Sequence, residues 1–548
     1  MHGHIEVEPY VKGLADELKE SGDYSLVLTV SGGDVYGGGN AVAGYYNGEL
    51  IPQIQDQIYD VIVPGNNDFS TGVAGNVLLS SLYENTKTIC ANVLVNDDTD
   101  VAAFAATYAP KIGAKDFADI YEGVSQNEDG SLDYSALNLG TVQKDTSPWE
   151  PTLIVETENG TKLGLFGLTC TGGQVGVSTH TEGTVKAAQD CVASLKADGA
   201  NVIVGIGHVG WMGEGSEEPA NGTDSNSWVV ANAVQDMDAF VDAHTHSIIG
   251  DGKGCYVGDN KVLINQAACY GDSIGVMYIT VKGGKVIDKK AEILRGEDLD
   301  AITPDADVQK LVDADLERLS AIAGEPVVTT PYFLCCERNY KWDPALDPGG
   351  SMRGNETNLG DFVTDLMRLT LSEKMDEEYD FAYMPGFWIR ASVNEGVGIT
   401  KIELASVIGY DNTTLMRKTY TAADIVTLVT DGLKNVAPQK EGISFNQYSG
   451  LYITYTNDNG EGTPVTIKVG DTLIYDANDG GIKVDDTWTA KGIALVMGGE
   501  VEESDIICKD GPELRELFYN YLATHELGKD YTIYPNVVAP DNRIVEVK

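Results

Sequence analysis

Metal-binding types of side chain recur in this sequence directly after short apolar runs that resemble buried strands. The residues concerned are Asp34, Asn66, His208, His244 and His246. They provide a carboxylate that can bridge two ions, an amide oxygen and imidazole nitrogens, which are ligands of dinuclear hydrolytic centres. We therefore predict a two-metal site in which a hydroxide shared by both ions attacks phosphorus. Any one of these motifs alone would be consistent with an ordinary turn.

The pattern of the chain indicates how these side chains are brought together. An amphipathic helix around residues 7–18 precedes an apolar run at 24–30, and further apolar runs cover 59–63, 201–206 and 240–242. In α/β folds the carboxyl ends of such strands meet at one edge, where loops build a site. His244 and His246 are two residues apart, so in an extended segment both imidazoles would face one side.

The rest of the chain predicts a second α/β domain. Residues 296–326 have helical spacing between Pro304 and Gly324 and are interpreted as a linker. Beyond them the pattern restarts with a helix that includes Leu359 and Met367, followed by strand-like runs. We expect one domain over residues 1–300, a helical linker over 301–325 and a second domain over 326–548.

Composition limits the partners. The 548 residues include 37 Lys and Arg against 84 Asp and Glu, a net charge of −47, which disfavours binding to nucleic acid polymers or anionic lipid. No apolar run is long enough to span a bilayer, and the opening residues lack the features of a signal peptide. Eight cysteines show no metal-binding spacing, and a bridge between Cys255 and Cys269 is left open.

Five short motifs in a fixed order resemble those of the 5'-nucleotidase metallophosphoesterase family. They are HGH at the start, SGGD at 31–34, PGNND at 64–68, GHVG at 207–210 and HTH at 244–246. GLFGLT at 164–169 and NQAACYGDSIG at 265–275 add to the likeness, which covers essentially the whole chain. The resemblance implies a four-layer α/β/β/α metallophosphoesterase domain followed by a second α/β domain of the 5'-nucleotidase C-terminal type.

The resemblance also implies the metal ligands. One ion would be bound by His2, Asp34 and His246, and the other by Asp34, Asn66, His208 and His244, with Asp34 bridging. The family's first ligand is an aspartate two residues before the position of His2, which the printed sequence does not contain. We therefore expect a native chain with an additional strand and this aspartate upstream. The ions implied are two divalent metals, and the ligand types are compatible with Zn, Mn or Fe.

Substrate-binding residues are implied for the second domain. Arg353 and Arg390 match two arginines that hold substrate oxygens, and Tyr410 and Asn412 match an aromatic ring and an amide that bind the base. Glu500 replaces a ribose-binding aspartate. The second aromatic ring of the family's base sandwich falls near Ala494, where no ring is present, so stacking on one face would be lost unless Trp388 replaces it.

The family's catalytic dyad is substituted. Its histidine and aspartate correspond to Asn67 and Ser70, which can neither carry the charge nor hold an imidazolium. We expect a metal-dependent phosphoric ester hydrolase that acts on a nucleotide or a related phosphate ester, with altered or reduced activity, outside the cytoplasm by family resemblance. The alternatives are an inactive member that binds a ligand or partner, or hydrolysis of a cyclic phosphodiester, a pyrophosphate or a sulfur ester.

Overall fold

The computed structural model describes residues 2–171, 174, 176–180, 182–216, 225–336, 351–437, 440, 442–497 and 501–547. The chain divides into two compact units, Met1–Arg318 and Leu319–Lys548. Both units contain helices and strands, which confirms the predicted α/β class. In the described part of the chain, no helix has the length and apolar composition needed to cross a membrane.

The elements of the first unit are short helices and strands in alternation. The helices described there are α1 (Glu8–Ser21), α2 (Ala41–Tyr46), α3 (Ile51–Gln55), α4 (Gly72–Ser80), α5 (Val101–Thr107), α6 (Ala114–Ile120), α7 (Gly183–Ala197), α8 (Ser227–Ala233), α9 (Glu297–Asp300) and α10 (Ala306–Ile322), the last of which continues past the division between the units. The strands are β1 (Val30–Ser31), β2 (Val61–Ile62), β3 (Lys87–Thr88), β4 (Val93–Val95), β5 (Thr99–Asp100), β6 (Ser125–Gln126), β7 (Leu132–Asp133), β8 (Thr141–Val142), β9 (Thr152–Glu156), β10 (Lys162–Thr169), β11 (Val177–Thr179), β12 (Val202–His208), β13 (Ala239–Val241), β14 (Cys255–Val257), β15 (Val262–Asn265), β16 (Ser273–Lys282) and β17 (Lys285–Arg295).

Two parallel arrangements position the candidate site. A sheet in the order β14-β15-β13-β12-β10-β9 has four parallel inner strands and an antiparallel strand at each edge. A smaller parallel sheet has the order β1-β2-β3. Strand β12 is buried along its whole length, as expected for an inner parallel strand covered on both faces. Its last residue, His208, is in register with Thr169 at the end of β10, so the loops after both strands begin side by side.

The strand predicted at 24–30 is shorter than expected. Only Val30 and Ser31 form a strand, although Thr29 still pairs with the backbone near Asp60. A cavity of about 410 Å³ lies beside this segment and is lined on its other sides by residues of β10, β12 and β16, among them Val204 and Met277. Apolar content made the run resemble a strand, but a strand also needs a backbone partner along at least one edge, and only Val30 and Ser31 pair with β2.

The second unit contains two five-stranded sheets. Its helices are α11 (Asn358–Met375), α12 (Lys401–Val407), α13 (Ala422–Gly432) and α14 (Gly511–Thr524). Its strands are β18 (Val328–Thr329), β19 (Phe381–Pro385), β20 (Gly398–Ile399), β21 (Leu415–Thr421), β22 (Asn446–Ser449), β23 (Leu451–Asp458), β24 (Glu461–Val469), β25 (Thr472–Asp476), β26 (Gly481–Ile482), β27 (Thr489–Leu495), β28 (Ile506–Cys508) and β29 (Ile544–Glu546). The sheets have the orders β22-β19-β27-β21-β28 and β26-β25-β24-β23-β29. The helix predicted around Leu359 and Met367 is confirmed as α11, and both side chains are buried in the core of this unit.

Candidate functional site

Four of the predicted metal ligands form one buried group at the strand ends of the first unit. Nε2 of His2 lies 3.4 Å from Oδ2 of Asp34 and 3.2 Å from Nε2 of His246. Nε2 of His208 lies 3.0 Å from the same Asp34 oxygen. None of the four residues is more than 7% exposed. We call these four residues the Asp34 cluster.

Hydrogen bonds fix which ring nitrogen faces Asp34. Nδ1 of His2 donates to the carbonyl of Gly37 at 2.9 Å, and Nδ1 of His208 donates to the carbonyl of Gly32 at 2.7 Å. Since a carbonyl only accepts, Nδ1 of each ring must carry a proton, which leaves Nε2 of each ring directed toward the carboxylate of Asp34. This is the arrangement of metal-ligating histidines, whose second nitrogen is held by a backbone acceptor. A cation between Nε2 and the carboxylate, either a proton or a metal ion, satisfies both atoms.

The pairwise separations fit a metal ion. Nitrogen and oxygen ligands at about 2.0–2.1 Å from a tetrahedral ion lie about 3.3–3.4 Å apart. The separations within the Asp34 cluster are 3.0–3.4 Å. The fit is pairwise, because no three His, Cys, Asp or Glu side chains within the described ranges are already arranged around one point.

The other two predicted ligands lie beside this cluster. The ring centroid of His244 is 5.1 Å from that of His208. Sγ of Cys170 lies 3.6 Å from Nδ1 of His244 and 3.7 Å from Oδ1 of Asn66. A chain of direct contacts therefore connects all six predicted ligands at one edge of the sheets.

The backbone at this edge is unusual. Four of the predicted ligands have a left-handed backbone, with φ of 56° at His2, 54° at Asp34, 78° at His244 and 57° at His246. This conformation is uncommon for residues other than glycine and is concentrated at functional sites. It also corrects the extended geometry predicted for residues 244–246. His246 contacts His2 whereas His244 contacts His208, so the two imidazoles reach different parts of the site.

A buried carboxylate organises the loop that carries Asp34. Both oxygens of Asp68 accept backbone N–H groups, Oδ1 from Val35 and Tyr36 at 2.7 Å and Oδ2 from Asp34 at 3.0 Å and Gly65 at 2.7 Å. Asp68 is fully buried. One side chain therefore ties the loop after β1 to the loop after β2, and these loops present Asp34 and Asn66.

Charge is balanced within the site. Burial opposes ionisation of Asp34, but the imidazoles of His208 and His2 hold the pKa of this carboxyl well below its usual value. Burial also disfavours charged His208, yet the charge of Asp34 raises the pKa of His208. For Asp68, burial and then the nearby charge of Asp34 raise the pKa to about 6. The site is therefore suited to binding positive charge next to Asp34.

The two dyad positions have different surroundings. Asn67 donates to both oxygens of Asp34, from its backbone N–H at 2.7 Å and from Nδ2 at 2.8 Å. Its side chain thus supports the predicted bridging carboxylate. Ser70 is exposed, in the 3-10 helix Asn66–Thr71. A Cβ added to Gly37 would clash with the Ser70 hydroxyl oxygen, so the loop after Asp34 passes close to this serine.

In the second unit, two of the predicted substrate residues contact one another. The guanidinium carbon of Arg390 lies 5.4 Å from the ring centroid of Tyr410, and Arg390 is only 5% exposed. The Trp388 ring is 4.6 Å from the Tyr410 ring and tilted by 41°. Nε1 of Trp388 donates to the hydroxyl of Thr413 at 2.8 Å. The tryptophan therefore covers Tyr410 directly and leaves no space for a base between the two rings.

The remaining predicted substrate residues are Arg353, Asn412 and Glu500. Arg353 is partly buried in a turn before α11, where its N–H donates to Ser351 Oγ, and Asn412 is exposed. Glu500 lies outside the described residues. Ala494 is fully buried in β27, opposite Met416, so it is a core residue of the sheet.

Several residues that contact the predicted ligands were not predicted themselves. Tyr270 packs against the rings of His2 and His246 at 5.5 and 5.2 Å, and Asp242 accepts the N–H of Gly210 at 3.0 Å. Asp68 and Cys170 belong to the same group. The strand pattern could have identified Cys170, because it directly follows β10 just as His208 ends β12. The possible bridge between Cys255 and Cys269 is not formed.

Comparison with known proteins finds similarity over part of the sequence and over the fold. Residues 345–491 match the family model of the 5'-nucleotidase, C-terminal domain. The trifunctional nucleotide phosphoesterase protein YfkN of Bacillus subtilis (strain 168) is 23% identical over 490 residues, which cover 87% of this chain but 30% of that protein. The chain thus spans less than a third of this curated relative.

Solved structures with the same fold cover nearly all of the chain. A 5'-nucleotidase precursor from Thermus thermophilus is 18% identical with a TM-score of 0.69, covering 98% of this chain and 94% of its own. The sulfate thiohydrolase SoxB from the same organism is 13% identical with a TM-score of 0.65, covering 100% of this chain and 83% of its own. At these identities the likeness concerns the fold.

Proposed function

We propose that this chain, which resembles 5'-nucleotidases in its C-terminal domain and in its fold, is a two-metal hydrolase of a small phosphate ester. The observation that carries the proposal is the pair of imidazoles of His2 and His208. Both have Nδ1 bound to a backbone carbonyl and Nε2 directed at one oxygen of Asp34. A carboxylate flanked by two imidazoles in this way can bridge two cations once both Nε2 atoms are deprotonated.

Each residue of the site has a defined part in this proposal. His2, Asp34 and His246 would hold one ion, and Asp34, Asn66, His208 and His244 the other. Divalent ions bound there would act as Lewis acids and lower the pKa of water. Asn67 donates to Asp34 and keeps that carboxylate in place. With Asn67 and Ser70 at the dyad positions, no charged side chain is provided there to donate to the ester, so slower turnover is expected.

Two substrate classes are each supported by an observation, a nucleotide and an ester without a base. A nucleotide is favoured by the family and by the name of the Bacillus relative. An ester without a base, including a sulfur ester, is favoured by Trp388, which covers Tyr410 and removes the expected stacking surface. The fold shared with a sulfate thiohydrolase supports the second candidate. We also propose that the protein acts outside the cytoplasm, which fractionation of the native host would test.

A release assay tests the proposed function. The protein is stripped with a chelator, reloaded with Mn²⁺ or Zn²⁺, and assayed for phosphate or sulfate release from nucleoside monophosphates, a cyclic phosphodiester, a pyrophosphate, a simple phosphomonoester and a sulfur ester. We expect release that depends on added metal and stops on chelation. Tight binding of metal without release from any of these esters would instead support a ligand-binding role.

A further inference from the structure

Cys170 occupies a strand-end position equivalent to that of the predicted ligands. It directly follows β10, whose last residue is in register with His208, and its N–H donates to the His208 carbonyl at 3.0 Å. Its Sγ lies 3.6 and 3.8 Å from the two ring nitrogens of His244 and 3.7 Å from Oδ1 of Asn66. Thus a thiol lies against two residues to which the proposed function assigns the second ion.

These distances match those between ligands of one ion. A sulfur at about 2.3 Å and a nitrogen or oxygen at about 2.1 Å from a tetrahedral metal are about 3.6 Å apart. They exceed the separations within the Asp34 cluster by about the extra length of a metal–sulfur bond. The same group adjoins the Asp34 cluster, since the ring centroid of His244 lies 5.1 Å from that of His208, whose Nε2 is directed at Asp34.

We propose that Cys170 is a thiolate ligand of the ion held by Asn66 and His244, an inference that rests on the proposed function. On binding, the Cys170 thiol releases its proton to solvent and its sulfur forms the bond to the metal. The ligand set implied by the family resemblance contains no sulfur. A soft thiolate favours Zn²⁺ over Mn²⁺ at that position, so the two ions need not be equivalent.

The alternative is a purely local role. The thiol at 3.7 Å from Oδ1 of Asn66 is within reach of a weak S–H···O hydrogen bond, which would orient the amide without touching a metal. The two roles differ in one measurable property. Only a metal–sulfur bond gives a charge-transfer absorption when Co²⁺ replaces the native ion.

Cobalt spectroscopy tests the proposal on the intact chain. The protein is loaded with Co²⁺, bound metal is counted by elemental analysis, and spectra are compared for the wild type, Cys170→Ser and Cys255→Ser. Cys255 is a matched control because it is also partly exposed, forms no disulfide and contacts Glu214 instead of the site. We expect a near-ultraviolet thiolate-to-cobalt band that is lost in Cys170→Ser and kept in Cys255→Ser.

The outcomes separate this proposal from the proposed function. Bound cobalt without a charge-transfer band, or a band that survives in Cys170→Ser, overturns the thiolate ligand and leaves the two-metal proposal standing. Failure of the wild type to bind cobalt overturns the metal-dependent function and the ligand with it. As an independent readout, Zn²⁺ should protect Cys170 from alkylation, measured by mass spectrometry of the peptide, and should not protect Cys255.

Discussion

The two predicted sites of this protein are built in opposite ways. In the first unit, the Asp34 cluster is held by side chains that leave its ligand atoms directed at one another, with Asp68 fixing the loops behind it. In the second unit, Trp388 and Arg390 lie against Tyr410, so the recognition residues contact each other. The first arrangement is prepared for a cation, whereas the second is closed to a stacked base.

The contrast indicates that metal ligation and substrate recognition depend on different kinds of contact. Metal ligation needs a few atoms at fixed separations, so loss of one contact is costly. Recognition of a leaving group tolerates replacement of one aromatic contact by another, since stacking is worth about 1–3 kcal/mol per base. The two predicted sites can therefore be tested by separate substitutions. The following five predictions test this contrast.

Replacing Asp34 should have the largest effect, because both proposed ions depend on this carboxylate. Asp34→Asn removes the charge shared by His2 and His208, so metal content should fall and ester hydrolysis should decrease at least about 10³-fold. Release assays and elemental analysis measure both. Asp190→Asn, which alters an exposed carboxylate paired with Lys186, should leave both unchanged. Full activity in Asp34→Asn would contradict the assignment.

Restoring the dyad asks whether weakened chemistry limits the rate. The double change Asn67→His with Ser70→Asp should raise kcat by roughly 10²-fold, because a charged donor and its orienting carboxylate are returned. Ser70 is exposed, although its hydroxyl oxygen lies close to Gly37, so the larger aspartate has to extend toward solvent. The single change Ser70→Asp serves as the control and should give little gain alone. If the double variant gains nothing on any ester, the dyad positions were assigned wrongly.

Replacing Asp68 tests whether the loops that carry Asp34 and Asn66 must be held in place for metal binding. In Asp68→Asn the amide cannot accept all four backbone N–H groups, and metal affinity should fall about 10–100-fold. Asp56→Asn is a matched control, because Asp56 also accepts two backbone N–H groups at 2.8 Å, from Asn85 and Thr86, away from the site. Calorimetric titration with Mn²⁺ would compare them. Equal affinities in both variants would refute the organising role.

Trp388 tests the recognition side. Trp388→Ala uncovers the Tyr410 ring, so KM for a nucleoside monophosphate should fall by up to about tenfold, the value of one stacking contact. KM for a simple phosphomonoester should not change. Trp388→Phe keeps an aromatic cover and is the control. If instead KM for the nucleotide rises in Trp388→Ala, then Trp388 itself binds the base.

The smallest effect concerns a buried carboxyl that anchors the segment carrying His2. Glu8 accepts Gln55 Nε2 at 3.1 Å and the Tyr59 hydroxyl at 2.9 Å, and burial raises its pKa from 4.5 to about 7. The unfolded chain loses this proton at lower pH, so Glu8 lowers the free energy of unfolding as pH rises from 4.5 to about 7.

The corresponding variant is Glu8→Gln. It should remove a slope of up to about 1.4 kcal/mol per pH unit from the free energy of unfolding in that range, measured by denaturant titration at several pH values. Glu17→Gln, an exposed position on the same helix, should leave the slope unchanged. An identical slope in Glu8→Gln and the wild type would show that Glu8 titrates normally.

The grouping of the predicted ligands was largely predictable, because it follows from the apolar strand pattern and from the residues that end each strand. Apolar runs indicate strands, and polar residues at the ends of parallel strands lie at one edge of the sheet. His208 and Asp34 are in contact for this reason. Cys170 obeys the same rule and was still missed, because a cysteine after a strand is usually a core residue. The backbone of His244 and His246 was wrongly predicted, since left-handed φ values depend on the contacts of the whole loop.

The recognition side was less predictable for a physical reason. Whether Trp388 stacks on a ligand or on Tyr410 depends on how the segment after β19 approaches the loop after α12, which no local pattern specifies. The strand expected at 24–30 fails similarly, because pairing depends on a neighbour and not on apolar content.

The central claim is that the strand-end residues of the first unit hold two metal ions. The most direct test is a crystal structure of the protein grown with Mn²⁺, with anomalous difference maps. The claim predicts two peaks roughly 3.5–4 Å apart that share Asp34, one beside His2 and His246 and one beside His208 and His244. Saturating Mn²⁺ with no anomalous peak at Asp34 would contradict it.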